Sequence, residues 1–234
     1  MKIIRSDERG TTEIGWLKSK HSFSFGDYYN PDQMGYRSLR VINDDFIAAG
    51  EGFGTHGHKD MEIISVVTEG ALAHKDSMGN GETLRPGEVQ VMSAGRGIQH
   101  SEFNPSQTER AHLFQIWIMP ETRGLIPSYG QKAFETEART NKLLRVAGPK
   151  RAVDDGALKI NQDADLFLVR VEPGKSVQYH LDAGRGAWIH LMDGAGKING
   201  NEVNSGDAAS IEGLYEIVLT ADQSAAEFLV FDLK

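Results

Sequence analysis

The sequence predicts an all-β protein made of a duplicated β-domain, each half a sandwich or barrel, and three observations point to it. Short runs rich in Val, Ile and aromatics recur along the whole chain. Glycine is abundant at 26 of 234 residues while proline numbers only 7, so the excess marks tight turns rather than a low-complexity linker. No long segment carries a convincing helical period of apolar residues.

Along the chain, the runs at 62–68 (EIISVVT), 89–92 (VQVM), 113–119 (LFQIWIM), 166–171 (LFLVRV), 188–192 (WIHLM) and 226–231 (AEFLVF) read as strands. Turn signals close them at Gly79-Asn80-Gly81, Pro86-Gly87, Pro173-Gly174, Asn199-Gly200 and Ser205-Gly206. The polar stretch 130–142 (GQKAFETEARTNK) is the expected interdomain connection, with room for a short helix. A repeat frame supports two halves. Gly50 is followed six residues later by His56 and fourteen later by Gly70, and Gly174, His180 and Gly194 repeat those intervals. Each frame runs into a hairpin and then a glycine before a strand, at Gly87 and Gly206, the second hairpin being five residues shorter.

Composition removes several function classes. With no cysteine, a disulfide scaffold, a thiolate metal site and a cysteine nucleophile are excluded, and a reducing, cytoplasmic setting fits. The N-terminus lacks a signal-peptide apolar run, and no apolar stretch reaches the roughly 18 residues of a membrane span. A net charge of −8 without a Lys/Arg block argues against direct nucleic-acid binding. The glycines at 50, 52 and 54 lack the strand–turn–helix context of a dinucleotide fingerprint, and neither a GxSxG elbow nor a P-loop occurs.

The chemistry-bearing pattern is His56-Gly57-His58 followed, one hairpin later, by His100-Ser101-Glu102. Residues two apart in a strand share a face, so each pair can present two donors to one interior. Glu62 lies four residues beyond His58, with the same parity. Three imidazoles and a carboxylate suit Fe(II), Mn, Ni, Cu or Zn. With no thiolate and with coordination positions open, such a set suits substrate or O2 chemistry better than a closed structural site. Spacing alone leaves metal binding and a purely structural role both open. Of the other histidines, His74 reads as a surface or hairpin contact and His112 as a satisfied core residue, while His21, His180 and His190 show no partner spacing. Phe53, Phe103, Phe114 and Trp117 read first as core formers, with Phe103 facing away from its ligand neighbours.

Residues 50–70 (GEGFGTHGHKDMEIISVVTEG) resemble the first cupin motif, with one extra residue after Glu62. Residues 87–104 (GEVQVMSAGRGIQHSEFN) resemble the second, with Ser93 in place of proline and two extra residues before His100. These departures resemble the pirin family, whose signature is matched at 56–62 (HxHxDxE), 74–80 (HxDSMGN) and 93–102 (SAGxGIxHSE), and the segment 21–45 is also pirin-like. The likeness covers most of residues 20–120 and is weak in the C-terminal half.

The resemblance implies a bicupin, two jelly-roll β-barrels packed face to face. The N-terminal metal-binding barrel would span 1–130 and a degenerate C-terminal barrel 143–234. It implies His56, His58, His100 and Glu102 as metal ligands, with Glu102 also the catalytic proton acceptor. Glu62 would stand behind them, orienting a ligand histidine or a bound water. In the second half His180 aligns with His56, Asp182 with His58 and Gly186 with Glu62, and the count from Gly206 places Leu219 at the His100 position, so the second site is lost. The implied cofactor is one divalent transition metal, Fe(II) first, with Mn, Ni, Cu, Co or Zn as alternatives. The implied activity is cleavage of a flavonol such as quercetin, a planar phenolic, with O2 and release of carbon monoxide. The competing implication is a non-enzymatic, metal-containing regulator of a transcription factor or metabolic enzyme, with a protein partner. A monomer is expected, because two barrels can bury each other's faces.

Overall fold

Runs of β-branched and aromatic residues broken by glycine and asparagine leave this chain few options other than strands. The computed structural model describes residues 1–149 and 155–234. In chain order the elements are β1 Lys2–Ile4, β2 Gly10–Ile14, β3 Leu17–His21, β4 Leu39–Ile47, β5 Gly52–His58, β6 Glu62–Glu69, β7 Leu72–Asp76, β8 Gly81–Leu84, β9 Glu88–Ser93, β10 Ile98–Phe103, β11 Ala111–Ile118 and β12 Ser128–Ala133. After the one-turn helix α1 Thr136–Arg139 come β13 Leu144–Pro149, β14 Leu158–Ile160, β15 Ala164–Val171, β16 Ser176–His180, β17 Gly186–Asp193, β18 Ala195–Ile198, β19 Asn201–Asn204, β20 Ala208–Glu212, β21 Glu216–Ala221 and β22 Ala226–Leu233. No helix among the described residues is long and apolar enough to cross a membrane.

The strands gather into two units. The N-terminal unit holds Gly10–Ala133 and Leu158–Gln162, and the C-terminal unit holds Met1–Arg9, Phe134–Ala157 and Asp163–Lys234. Compared with a division at 1–130 and 143–234, the changeover falls between Ala133 and Phe134, and two segments cross over. Residues 1–9 belong to the C-terminal unit, where β1 pairs with β20 and Arg5 bonds Asp207 at 2.8 Å. Residues 158–162 return to the N-terminal unit, through side-chain bonds described below. The polar stretch at 130–142 is part strand and part helix, since β12 pairs with β9 through Ala133 before α1 begins.

The duplication is visible in the strand order. In the N-terminal unit one sheet runs β12-β9-β6-β11-β4-β3-β2 and the other β5-β10-β7-β8. In the C-terminal unit the orders β1-β20-β17-β22-β15-β13 and β16-β21-β18-β19 repeat that plan. The edge beside β9, filled by β12, corresponds to the edge beside β20, filled by the chain's first strand. The glycine frame has a steric basis at its third position. Gly70 and Gly194 both have positive φ, 69° and 90°, and a Cβ there would strike the carbonyls of Arg110 and Ala225.

The two interiors differ. A continuous apolar cluster fills the C-terminal unit, including Val177, Ile198, Leu219 and Val230. In the N-terminal unit the corresponding row of the large sheet is polar. Asn43 pairs with Gln115, Gln115 with Ser65 and Ser65 with Gln90, all buried. The same row in the C-terminal unit is Phe167, Val230, Ile189 and Ala209. Burying a polar row costs free energy unless its groups find partners, so its confinement to one unit marks where the chemistry lies.

Candidate metal centre

A β-bulge turns the His56-Gly57-His58 pair inward. Pairing of β5 with β10 sets Phe53 opposite Glu102 but His56 opposite His100, so Gly54 and Thr55 together face Ser101 alone. The extra residue shifts the side-chain alternation by one. Phe53, His56 and His58 all line one cavity, while Gly54 and Thr55 are exposed. Gly52 permits the close approach of the strands, since a Cβ there would run into the Glu102 carbonyl.

In the C-terminal unit β16 and β21 pair in unbroken register, Val177 with Leu219 and His180 with Glu216. Without a bulge, Val177 is buried and His180 exposed. Leu219 therefore occupies the position of Glu102, and the residue opposite His180, as His100 is opposite His56, is the exposed Glu216. This corrects the count that set Leu219 at the His100 position.

The three imidazoles of His56, His58 and His100 converge, with one ligand atom from each within 4.8 Å of the others. Their ring centroids lie 4.4 to 4.9 Å apart. His56 Nδ1 donates to the Gly54 carbonyl at 2.8 Å, which leaves Nε2 as the lone-pair atom. His100 is buried, and its Nε2 has no hydrogen-bond partner. A buried imidazole nitrogen left bare while two more rings converge on it fits a metal ion. Burial, with neighbouring His56, lowers the His58 imidazole to about 4. Burial, then His56 and His58, lowers His100 to about 3. Both rings are thus neutral donors near pH 7, the form that ligates metal.

Glu102 lies on the same strand as His100 and opens into the same cavity as His56 and His58. Burial pushes its carboxyl up to about 7, against the pull of hydrogen bonds from Gln115 and Ser65. Gln115 Nε2 donates to Glu102 Oε2 at 3.0 Å, and Ser65 Oγ donates to Gln115 Oε1 at 3.2 Å. Glu62 is buried at the start of β6. Its carboxylate accepts from Ser93 Oγ at 2.6 Å, from Asn161 Nδ2 at 3.0 Å and from the Asn161 backbone at 3.2 Å. No histidine bonds it among the described residues. Together these bonds clasp 158–162 against β6 and β9.

His74 is a second correction. It is buried rather than superficial, because β7 pairs with β10 and sets His74 opposite Glu102. Its Nδ1 lies 3.4 Å from His100 Nδ1, and its Nε2 lies 3.4 Å from Asp76 Oδ2. His112 does sit as a satisfied residue, bonded to Thr68 and Asp44 at 2.7 Å each and stacked on Phe46. Phe103 is exposed on the outer face, as its parity requires.

The cavity has a volume of about 200 Å³. Phe25, Phe53 and Trp117 give it aromatic walls, so two residues first read as core formers belong to the site. The cavity is also lined by the polar residues Ser19, His21, Asn43 and Asp45. His21 is tied by Thr12 at 2.8 Å and Asn43 at 2.7 Å. Spacing between histidines could not reveal it. The available signal was polar residues within strand-like runs, Asn43 and Asp45 two apart in LRVINDDFI and the lone Gln115 in LFQIWIM.

Comparison with known proteins places both halves. The pirin family model matches residues 4–118, and the model of the quercetinase C-terminal cupin domain matches residues 146–233. A curated Escherichia coli protein named quercetin 2,3-dioxygenase is 48% identical over 231 residues, 99% of this chain and 97% of its own length. A pirin-like protein of Caulobacter vibrioides is 41% identical, covering 96% of each chain. The crystal structure of the bacterial pirin YhhW of Escherichia coli in complex with nickel(II) superposes with a TM-score of 0.93 at 45% identity, over 99% of this chain and 98% of that one. Both halves thus have cupin counterparts, as the all-β bicupin expectation requires.

Proposed function

The chain belongs to the pirin family, and from that membership we propose that it is a metal-dependent dioxygenase, cleaving a flavonol such as quercetin with O2 and releasing carbon monoxide. The observation that carries this reading is the opening of His56, His58 and Glu102 into one aromatic-walled cavity, with His100 completing the cluster of imidazoles. These four residues would hold one divalent transition metal. Nickel(II) in the Escherichia coli relative makes nickel one candidate, and an imidazole–carboxylate set accepts Fe(II), Mn, Co, Cu and Zn as well. When bound, the metal supplies Lewis acidity that makes the flavonol 3-hydroxyl a stronger acid.

The chain's own groups do the rest. Glu102, which opens into the cavity with His56 and His58, accepts the 3-hydroxyl proton. Gln115 holds the carboxylate in place through its Nε2 donor. Phe25, Phe53 and Trp117 grip planar rings and exclude water. Ser19, His21, Asn43 and Asp45 line the same cavity and offer partners to the ligand's other hydroxyls.

Aerobic turnover of quercetin by protein loaded separately with Fe(II), Mn, Ni and Cu tests the proposal. The expected result is metal-dependent loss of flavonol absorbance with stoichiometric carbon monoxide, absent in His56→Ala. Full metal occupancy without turnover would overturn the enzyme reading in favour of a regulator whose metal state biases a surface.

A further inference from the structure

The HxDSMGN segment at 74–80 takes no part in the reaction described above, yet it buries a histidine and a carboxylate directly behind the metal cluster. His74 and Asp76 lie two apart on β7 and share the inner face, both buried. Asp76 accepts from the Met78 and Asn80 backbones at 2.9 and 3.0 Å and from Asn80 Nδ2 at 2.8 Å, which fixes it as an ionised acceptor. His74 Nε2, 3.4 Å from Asp76 Oδ2, is therefore the protonated nitrogen, which makes His74 Nδ1 an acceptor. The atom facing it at 3.4 Å is His100 Nδ1, which must carry the proton and donate. That leaves a lone pair on His100 Nε2, the same buried atom that has no partner. One proton assignment satisfies every contact in the chain Asp76–His74–His100.

The second half of the molecule supplies a comparison. Leu219 occupies the position of Glu102, and β18 sets Ile198 opposite it, as β7 sets His74 opposite Glu102. Ile198 is fully buried in the apolar cluster. A barrel of this plan is thus packed by an aliphatic residue at the His74 position where ligands are missing. Tyr129, stacked on His74 with ring centroids 5.0 Å apart, closes the remaining side of the imidazole.

We propose that His74 and Asp76 are positioning residues for the metal centre: as a carboxylate–imidazole pair they hold His100 in the Nδ1–H tautomer, aim its Nε2 and strengthen it as a donor. Among the described residues, His56 Nδ1 has the Gly54 carbonyl for this purpose. Partners of this kind behind a ligand typically change metal affinity by about 10- to 100-fold.

The inference rests on the metal centre of the proposed function, so uptake of Ni(II) by chelator-stripped wild type is measured first. A wild type that binds none overturns the centre itself. Given binding, His74→Phe keeps the ring and its stack on Tyr129 but removes the acceptor, and Ni(II) affinity is expected to fall by roughly 10- to 100-fold with a shifted ligand-field spectrum. His74→Gln restores an acceptor oxygen and is expected to recover most of the affinity. Unchanged affinity and spectrum in His74→Phe would overturn the proposal, as would equal loss in both variants, since packing alone would then explain it. Long-range ¹H–¹⁵N spectra of the Zn(II)-loaded wild type need no variant to fold. They are expected to show the proton on Nδ1 of His100 and on Nε2 of His74, and a proton on Nδ1 of His74 would overturn the assignment.

Discussion

His56 owes its donor atom to one backbone carbonyl. With Nδ1 committed to Gly54, Nε2 is the atom left to reach a metal, so under the proposed ligand set His56→Ala removes one of four donors. The variant is expected to lose stoichiometric metal, read by elemental analysis after Ni(II) loading and desalting; one full equivalent retained would sink the ligand assignment. Gln115 acts on the carboxylate side. Gln115→Leu strips Glu102 of its 3.0 Å donor and leaves a buried acceptor short of a partner, which costs about 1–3 kcal/mol. Urea unfolding of the metal-free protein checks this, and an unchanged midpoint would mean that Ser65 alone satisfies the carboxylate. The paired donors His56/His58 and His100/Glu102 were legible in the sequence because residues two apart on a strand share a face. His74 and His21 were not. Each reaches the site through cross-strand pairing, with Glu102 and Asn43 respectively, and no spacing within one strand encodes that.

At the scale of the strand, the bulge decides what the motif is for. Without a bulge Phe53 and His56, three residues apart, would face opposite sides, as Val177 and His180 do on the unbulged β16. Deleting Thr55 removes the extra residue and leaves Phe53 and His56 two apart, so continuous pairing of β5 with β10 keeps both on the inner face. The expected variant keeps its β-type circular dichroism and still takes up metal, and loss of uptake with the fold intact would show that the bulge does more than set the side-chain alternation. The clasp at Glu62 is the other element-level feature. Asn161 Nδ2 donates to both Glu62 Oε1 and Ser93 Oγ, so Asn161→Ala leaves a buried carboxylate underbonded. A loss of about 1–3 kcal/mol is expected from urea unfolding, with metal affinity unchanged because no ligand is touched. A drop in affinity instead would return Glu62 to the role of orienting a ligand. The sequence announced the strands through composition, yet the bulge is invisible there, because Gly54 and Thr55 are unremarkable in an exposed, glycine-rich segment.

For the molecule as a whole, the duplication makes two barrels of one plan and gives donors to one of them. Ni(II) titration is expected to end at one equivalent per chain, with no ion at His180 in a soaked crystal. A second equivalent held by His180 and Glu216 would overturn the degenerate reading of the C-terminal unit. The glycine frame disclosed the repeat because tight turns need positive φ at fixed places. The membership of the edge strands was hidden. β1 is three residues long, too short for any period, and its partner Ser210 lies at the far end of the chain from Lys2.

The sequence by itself determined the all-β class, the doubling and the donor pairs of the metal motif, since each follows from local rules of turn geometry and strand parity. Tertiary structure alone decided which face the histidine pair presents, that Glu62 clasps Asn161, and that His74 and Asp76 stand behind His100. Those outcomes depend on register between strands distant in sequence, and a shift of one residue in pairing reverses them.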